Sequence, residues 1–495
     1  MRRGMKMKNR IVPLVCLVLI LLLAGILRAW NISENPPELY PDEIFTYLSA
    51  KSVVENGRPI QHRLPAYGFA SYLSASVLGE SPLGIRVPAV FFGLVSILLV
   101  YLLAKELFGD TAAALFAAFF MAIIPWHIHF SRVGWESASF LPFLLLSVYL
   151  FIYGVNRERK LVLIVSFGMF ALTFYTYLVA QLYSLLFLSC LLVMYRRYFL
   201  RERRVLMTGL IVYLILSAPY IWVIVTSPMF FRKASMIFTF ANGVNSETLS
   251  VFGTNYITHF GPDFLFIHGD PNLRHGAGTG VIYWVMLPFL AAGIVYSAMA
   301  DRRRNVFYFI LFWLAAFPLA AALTDDGVPH AMRSLAGAPV LCLLSGRGVS
   351  GLVRTAAGRA GRMYVSYILY AVVVVISLAA LPGFSKTYFE NYPTMSAPDW
   401  EYGRKKLFSG IGKLEGNYKR VCTQKLHYFG SYYLIEFYIP DSGLEFINDI
   451  DDPRCSLGGS IVVQKYGVKK YWNSRLVGKV NGPDGTTLYY VFTIE

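Results

Sequence analysis

The stretch IVPLVCLVLILLLAGILRAWNISENPPELYPDE, residues 11–43, contains the two features on which the fold depends. Residues 11–30 are apolar apart from Arg28, and a run of that length can cross a bilayer as a helix. The run follows a basic leader, as a signal peptide would. No small-residue cleavage site follows Leu23, so we expect an uncleaved first helix. A polar turn then leads to Tyr40-Pro41-Asp42-Glu43.

The composition of the whole chain is typical of a membrane protein. Of the 495 residues, 56% are hydrophobic and 15% are charged, whereas a soluble globular chain carries about 25% charged residues. That much apolar surface cannot be buried in one soluble core of this length. The composition therefore excludes a soluble enzyme, a disordered protein and a disulfide scaffold. It predicts an α-helical polytopic membrane protein.

Basic residues mark the connections that should stay in the cytoplasm. Because successive spans alternate in direction, every second connection is cytoplasmic, and those connections hold the basic clusters. The net charge of +16 is thus explained by membrane topology, and nucleic acid is not an expected partner. We divide the apolar region around residues 173–177 into two short spans. A single span there would place the later basic clusters on the outer side of the membrane. The clusters fall at residues 2–10, 157–160, 196–204, 302–304 and 347–362. The eleven predicted spans lie near residues 11–30, 83–104, 111–128, 136–154, 161–176, 178–195, 205–226, 279–299, 306–323, 333–349 and 363–382.

The other connections and the C-terminal tail should lie outside. Residues 31–82, 227–278 and 324–333 form long or polar outer connections. After Leu381 the chain alternates polar with aromatic and β-branched residues, and the pattern predicts a hairpin from Leu476 to Ile494. We therefore predict a transmembrane domain over residues 1–382 and an extracytoplasmic α/β domain over residues 383–495. In that tail Cys422 and Cys455 either form a disulfide or stay as two thiols.

Ionisable residues concentrate on the predicted outer side. Such groups are costly near membrane depth and usually face a functional cavity. Each alone could be a solvated loop residue, but together they predict an outer-side cleft. The histidines are His62, His127, His129, His259, His268, His275, His330 and His427, and the charged residues among them include Asp42, Glu43, Arg132, Glu136, Asp270, Arg274 and Arg333.

Tyr40-Pro41-Asp42-Glu43 opens the first outer connection, and a periodic apolar stretch follows it. The pattern predicts a surface helix that begins near Pro41, because proline and acidic residues both suit a helix N-terminus. Asp42 and Glu43 could therefore be no more than helix-start charges.

In this context the chain resembles the membrane-embedded GT-C glycosyltransferases, in the branch of protein O-mannosyltransferases and lipid A aminoarabinose transferases. The resemblance covers roughly residues 10–345 in order and topology. Pro41-Asp42-Glu43 is its most diagnostic motif, and the C-terminal tail carries none. The looser motifs are residues 129–136 (HFSRVGWE), 173–177 (TFYTY), 264–270 (FLFIHGD) and 329–334 (PHAMRS).

The resemblance implies transfer of one sugar from a dolichyl- or undecaprenyl-phosphate donor, with inversion, on the outer face of a cell membrane. The acceptor would be a hydroxyl of a protein, a glycolipid or a surface glycan. By resemblance, Asp42 is the base and Glu43 orients the helix start or the acceptor. One carboxylate can suffice because phosphate is already a good leaving group, whereas glycosidases need two.

The remaining candidates follow from charge. A donor phosphate needs cations or N–H donors, and a second carboxylate could hold the sugar or acceptor. An Arg132–Glu136 pair across one helical turn is a structural alternative. No His-x-x-x-His or Asp-x-Asp pattern appears among the histidines and charged residues named above, so no metal cofactor is predicted. A divalent ion is the less favoured alternative. The phosphate candidates are Arg333, Arg274, His330 and Arg132, and the sugar or acceptor candidates are Glu136, His268 and Asp270.

A multi-span transporter is the main alternative. Transporters place charges near the bilayer midplane and often contain repeats or broken helices, whereas this chain has charges at one face and no visible repeat. A polysaccharide polymerase or ligase is chemically closer, but it typically uses a diphosphate carrier and lacks the Asp-Glu opening.

Overall fold

The computed structural model describes residues 2–57, 66–226, 237–299, 304–360, 363–424, 431–440, 442–465 and 473–494. These residues are mostly helical, with one small sheet near the C-terminus. They form two compact units. The helical unit comprises Met1–Trp30, Leu64–Tyr67 and Arg86–Lys386, and the sheet unit comprises Asn31–Arg63, Gly68–Ile85 and Thr387–Glu495. The predicted boundaries at residues 382 and 383 stay a prediction.

Twenty-one α-helices are present among the described residues. In chain order they are α1 (Arg2–Ala29), α2 (Pro41–Asn56), α3 (Ala66–Leu78), α4 (Pro82–Phe108), α5 (Thr111–Ile123), α6 (Pro125–Phe130), α7 (Ser137–Asn156), α8 (Lys160–Thr173), α9 (Ala180–Met194), α10 (Arg196–Arg201), α11 (Arg203–Thr226), α12 (Ser246–Thr258), α13 (Leu287–Ala298), α14 (Arg304–Ala316), α15 (Leu319–Ala322), α16 (Gly337–Ala360), α17 (Met363–Leu378), α18 (Leu381–Ser385), α19 (Tyr392–Met395), α20 (Arg404–Gly412) and α21 (Ser431–Tyr438). Short 3₁₀ or π turns occur at Asp263–Ile267, Leu273–His275, Trp284–Met286, Lys386–Asn391 and Pro453–Ser456.

The predicted helical, polytopic fold is confirmed, with a helix at each of the eleven predicted spans. α8 and α9 are separate helices on either side of residues 174–179, as the split of that run requires. α16 is not among the apolar segments given below, and it packs against α5 and α13. Six described segments are long and apolar enough to cross a bilayer, namely Ile11–Ala29, Pro82–Phe108, Ser137–Asn156, Arg203–Thr226, Arg304–Ala322 and Tyr364–Met395. Thr111–Ile123, Lys160–Thr173, Ala180–Met194 and Trp284–Ala298 are shorter apolar helices.

Glycine allows α16 to approach its neighbours closely. A Cβ atom added at Gly346 would overlap the Ala113 carbonyl oxygen of α5, and one added at Gly348 would overlap the Phe289 carbonyl oxygen of α13. Apolar side chains gain little by leaving lipid, so close backbone approach through small residues is a main source of helix association in membranes. These glycines therefore explain how a helix of modest hydropathy packs centrally.

Asp110 links α5 to α16. Its side chain accepts hydrogen bonds from two backbone N–H groups in the first turn of α5, at 3.0 and 3.3 Å. It also accepts the Ser350 hydroxyl at 2.6 Å and lies 2.9 Å from the Arg354 guanidinium. Asp110 is buried, so these partners offset the cost of removing its charge from water.

The sheet unit contains a five-stranded sheet of order β2-β1-β3-β5-β4. β1 is parallel to β2 and β3, and β5 is antiparallel to β3 and β4. The predicted C-terminal hairpin is confirmed as β4 and β5, and Gly485 between them has a φ of +83°, which glycine adopts without strain. The strands are β1 (Arg420–Thr423), β2 (Glu445–Ile447), β3 (Ser460–Gln464), β4 (Ser474–Asn481) and β5 (Thr487–Ile494).

A disulfide joins Cys422 of β1 to Cys455 in the Pro453–Ser456 turn. Of the two alternatives left by the sequence, the structure contains the bonded pair. Both sulfur-bearing residues are fully buried among apolar side chains of one face of the sheet.

The core of the sheet unit also includes α2, from the first predicted outer connection. Ile44 and Leu48 of α2 belong to the same hydrophobic cluster as Phe408 of α20 and Ile461 of β3. The Tyr47 ring packs edge-on against Phe437 of α21, with centroids 5.9 Å apart. The helix that carries Asp42 is therefore part of the core built by the C-terminal tail.

We expect Asp110→Ala to lower the thermal stability of the detergent-solubilised protein. The change leaves the Ser350 hydroxyl and the N–H groups in the first turn of α5 without their acceptor, and each buried donor left unpaired costs about 1–3 kcal/mol. Asp110→Asn should cost less, because asparagine also caps helices. Melting followed by size-exclusion chromatography measures the effect.

Glu202→Ala is the matched control, since Glu202 pairs with the exposed Lys160 and surface pairs contribute about 0–1 kcal/mol. Equal losses in Asp110→Ala and Glu202→Ala would contradict the linking role of Asp110.

Candidate functional site

Asp42 and Glu43 occupy the first turn of α2 but have different surroundings. One Glu43 carboxylate oxygen accepts the Tyr40 N–H at 2.9 Å, which satisfies a donor that the helix leaves unpaired. Glu43 is fully buried, and the other residues of 41–50 are also buried except Asp42, which is exposed. Glu43 therefore stabilises the helix start, and Asp42 is the acid of this pair that is accessible to solvent.

In the helical unit, residues within or close to the motifs at 129–136, 264–270 and 329–334 contact one another. A ring nitrogen of His129 lies 2.6 Å from the Arg274 carbonyl oxygen. The Trp135 ring packs edge-on against His275, with centroids 5.7 Å apart. Trp126 lies three residues before the 129–136 motif, and its indole N–H donates to the Ala331 carbonyl at 2.8 Å. Residues distant in sequence therefore form one buried polar region.

Asp270 lies at the centre of this region and is 3% exposed. One of its oxygens accepts the Ala331 N–H at 2.7 Å and lies 2.8 Å from Nδ1 of His275. The other accepts the Asn272 N–H at 2.8 Å. The His330 ring stacks on His275, with centroids 4.4 Å apart. We refer to Asp270, His259, His275 and His330 as the Asp270 cluster.

His259 and His330 are neutral members of the cluster. Nε2 of His259 accepts the His330 N–H at 3.0 Å, and its Nδ1 lies 2.7 Å from the Asn255 carbonyl oxygen. Burial lowers the pKa of both imidazoles below the usual 6.5, and the nearby His275 and Arg333 lower the pKa of His330 further. At neutral pH His330 can therefore offer a phosphate a hydrogen bond without a full positive charge.

Two of the candidate arginines lie in the loops of the cluster. Arg333 donates through Nη1 to the Thr324 hydroxyl at 2.7 Å, and its Nη2 lies 3.1 Å from the Asp326 carboxylate. The Arg333 side chain is 11% exposed, whereas that of Asp326 is 65% exposed. Nε of Arg274, which is half-buried, donates to the Asn272 side chain at 3.2 Å.

Arg132 is fully buried beside the end of α1. Its Nη1 donates to the carbonyl oxygens of Leu27 and Arg28, at 3.1 and 2.8 Å. A cation that bonds the last carbonyls of a helix also complements the helix dipole. Arg132 thus has a structural task, which makes it the weakest of the four phosphate candidates.

Glu136 and His268 each make a contact outside the Asp270 cluster. Glu136 immediately precedes α7, and its carbonyl oxygen accepts the Ser139 hydroxyl at 2.8 Å. His268 is 72% exposed, and its Nδ1 lies 2.6 Å from Asp263 rather than at Asp270. His62 and His427 lie outside the described residues.

Among the described residues, Asp270, His275 and His330 could hold a metal ion, because their ligand atoms lie within 4.8 Å of one another. Imidazole and carboxylate ligands suit zinc and similar ions. The same Asp270 oxygen already contacts Ala331 and His275, so the cluster is also complete as a hydrogen-bonded group. The expectation of no metal cofactor stays a prediction.

The motifs alone do not single out His259 or His275. The His259–His330 contact joins residues 71 positions apart. His275 lies five residues from Asp270, and that spacing alone does not indicate a site. The sequence indicated His259 and His275 only through the concentration of all the histidines on the predicted outer side of the membrane.

We expect Asp270→Ala to destabilise the helical unit. The change leaves the N–H groups of Ala331 and Asn272 without their acceptor, and each buried unpaired donor costs about 1–3 kcal/mol. Asp263→Ala is the control, since Asp263 lies in an exposed pair with His268. Thermal melting measures both, and an unchanged midpoint for Asp270→Ala would show that Asp270 does not hold the loops.

Part of the chain matches a known family. Residues 61–222 match the model of the dolichyl-phosphate-mannose-protein mannosyltransferase family. The matched segment includes the motif at residues 129–136 but not Asp42. The chain is also 32% identical over 104 residues to YkcB of Bacillus subtilis (strain 168), a protein named provisionally as a mannosyltransferase. That alignment covers 21% of this chain and 14% of the relative.

Two solved structures resemble the whole fold. ArnT from Cupriavidus metallidurans, bound to undecaprenyl phosphate, superposes with a TM-score of 0.60 at 14% identity, over 97% of each chain. The oligosaccharyltransferase AglB from Archaeoglobus fulgidus, in complex with an inhibitory peptide and a dolichol-phosphate, gives a TM-score of 0.58 at 14% identity. That match covers 92% of this chain and 70% of AglB. At such identities the likeness concerns the fold.

The helical fold, the C-terminal sheet and the match to the family model all agree with the resemblance to GT-C glycosyltransferases that the motifs indicated. The chain is a multi-span membrane protein with the GT-C fold of membrane glycosyltransferases, and its residues 61–222 have the sequence pattern of the mannosyltransferase family.

Proposed function

We propose that this protein transfers a single sugar from a polyprenyl-phosphate donor to a hydroxyl acceptor, with inversion at the anomeric carbon. The observation that carries the proposal is the exposure of Asp42 at a helix start whose other residues are buried. The GT-C fold and the mannosyltransferase match support the reaction class. Undecaprenyl phosphate and dolichol-phosphate bound to two structures of this fold support the type of carrier.

In the proposed step, the Asp42 carboxylate takes the proton of the acceptor hydroxyl. The acceptor oxygen forms a bond to the anomeric carbon while the bond from that carbon to the phosphate oxygen breaks. The polyprenyl phosphate leaves with the electron pair, so a single displacement inverts the configuration. Glu43 is the poorer candidate for the base because it is fully buried and one of its oxygens accepts the Tyr40 N–H. Its proposed task is to fix the helix start.

Arg333 and Arg274 are the proposed cationic partners of the donor phosphate, with His330 as a neutral donor. A guanidinium suits phosphate because its N–H groups form paired, charge-assisted hydrogen bonds. The Asp326 carboxylate forms an ion pair with Nη2 of Arg333. A phosphate would therefore compete with Asp326 for this guanidinium, and the exposed Asp326 can be displaced into water.

Glu136 and His268 stay proposed contacts of the sugar or acceptor. Asp270 is a weaker proposal for that task, because both of its oxygens already accept backbone N–H groups. We propose that transfer itself needs no metal ion. Loss of a phosphate monoester requires less electrophilic help than cleavage of an ordinary glycosidic bond, since the leaving group is already acidic.

We further propose that the sheet unit lies outside the cytoplasm, at the plasma or inner membrane. The Cys422–Cys455 disulfide supports this location, because disulfides persist in oxidising compartments. The predicted number of spans is odd, so a chain that starts in the cytoplasm would also place its C-terminal part outside the cytoplasm. Proteins, glycolipids and surface glycans on that side all provide hydroxyl acceptors.

Replacement of Asp42 by Asn should reduce transfer by about 10²–10⁴-fold, the usual contribution of a general base. Folding should be unaffected, because Asp42 is exposed. The assay follows loss of each member of a panel of polyprenyl-phosphate sugars by mass spectrometry, with a membrane extract as the acceptor source. Asp451→Asn, at another exposed acid of the sheet unit, is the control. Full activity of Asp42→Asn would remove Asp42 from the mechanism.

Arg333→Ala should weaken binding of undecaprenyl phosphate at least tenfold, because a charge-assisted contact of about 1.5–3 kcal/mol is lost. Asp326→Ala should strengthen the same binding, since it removes the competing carboxylate. Equilibrium binding to the protein in lipid nanodiscs measures both changes. Arg157→Ala, at an exposed arginine paired with Glu106, is the control. Unchanged affinity in Arg333→Ala would refute the phosphate assignment.

A further inference from the structure

We infer that Glu38 is a positioning residue for Asp42, because its buried carboxylate fastens the segment before α2 to the start of α20. This inference rests on the proposed role of Asp42 as the base. It assigns the C-terminal tail a task in the reaction, through residues that carry no recognisable motif.

Glu38 caps a helix that has no cap of its own. α20 begins after Gly403, which has no side chain and a φ of +93°. Glu38 supplies the missing acceptor from 365 residues earlier in the chain, with one oxygen 2.7 Å from the Gly403 N–H and the other bonded to the Lys405 N–H. A carboxylate at a helix N-terminus also interacts favourably with the helix dipole.

The surroundings make this contact costly to lose. Glu38 is buried, and burial raises its pKa, while the hydrogen bonds from Lys405 and Gly403 oppose that rise. Without Glu38, two N–H groups at the start of α20 would lose a charged acceptor, and buried donors left unpaired are expensive.

Further contacts hold the same segment along its length. The Asn35 side chain donates to the Tyr388 carbonyl at 2.7 Å, and Asn35 is fully buried. The Tyr40 ring packs edge-on against Trp400, with centroids 6.1 Å apart. Trp400 is itself fixed, since its indole N–H donates to the Tyr392 hydroxyl at 2.8 Å. Residues 35–40, the anchoring segment, are thus held at both ends and near the middle.

The anchoring segment leaves Asp42 little freedom. Glu38 is fixed to α20, Leu39 is buried in the core of the sheet unit, and Tyr40 donates its N–H to Glu43. Pro41 then restricts its own φ to about −65°. A shift of about 1 Å in a catalytic group can lower a rate 10²-fold, so an anchor four residues before the base can control turnover.

The experiment measures hydrogen–deuterium exchange and turnover in the full-length protein carrying Glu38→Ala or the milder Glu38→Gln. Peptides that cover residues 38–50 should exchange at least tenfold faster in Glu38→Ala. Turnover should fall about 10–100-fold, with the KM for the donor within twofold of wild type. The donor is the member of the polyprenyl-phosphate sugar panel that the wild type consumes. Glu38→Gln should show the same changes at smaller size, because it keeps one acceptor oxygen.

Glu415→Ala and Glu415→Gln are matched controls, since Glu415 also accepts a backbone N–H in the sheet unit, from Gly443 at 2.6 Å, away from the anchoring segment. They should alter neither α2 exchange nor turnover. Unchanged exchange in α2, or faster exchange with normal turnover per folded molecule, would overturn the inference. Equal losses of turnover in the Glu38 and Glu415 variants would also overturn the inference. If Asp42→Asn is inactive and Glu38→Ala is normal, only the positioning role fails, whereas an active Asp42→Asn removes the proposed base itself.

Discussion

The constraint that shapes this protein is that lipid offers no hydrogen-bond partners to a polypeptide backbone. Every spanning segment must satisfy its own N–H and C=O groups, and the apolar segments are accordingly helices. Irregular backbone is then confined to regions where side chains can supply partners. The loops around the Asp270 cluster show the result, because buried polar side chains satisfy their backbone groups.

Buried carboxylates are one source of such partners in both units. Glu38, Glu43, Asp110 and Asp270 are all buried, and each accepts at least one backbone N–H group. An acid placed in this way is a structural residue, because its charge is already matched by nearby donors. Asp42 differs by being exposed. Exposure against buried neighbours therefore separates the proposed base from the acids that hold the backbone.

The sequence predicted what depends on local pattern. Apolar runs, basic clusters and the Asn-Gly-Pro-Asp-Gly turn located the helices and the C-terminal hairpin, because hydropathy and turn chemistry act over a few residues. Contacts between distant segments left no such pattern. Nothing local indicates that Glu38 meets Gly403, that α2 enters the core of the C-terminal tail, or that Asp270 contacts Ala331. The role of Asp42 in the site stays a prediction for the same reason, since Pro-Asp-Glu reads equally well as a helix start.

Under the proposed mechanism, the Pro-Asp-Glu motif combines two tasks in two different environments. A helix-start acid works best when buried against the N–H group that it accepts, as Glu43 is. A general base must instead be accessible to the acceptor hydroxyl and must keep a carboxylate able to receive its proton. Adjacent residues in the first turn of a helix point in different directions, so one can be buried while the next is exposed. The order Asp-Glu therefore has a physical reason here, because the third helical residue reaches back to the preceding N–H and the second does not.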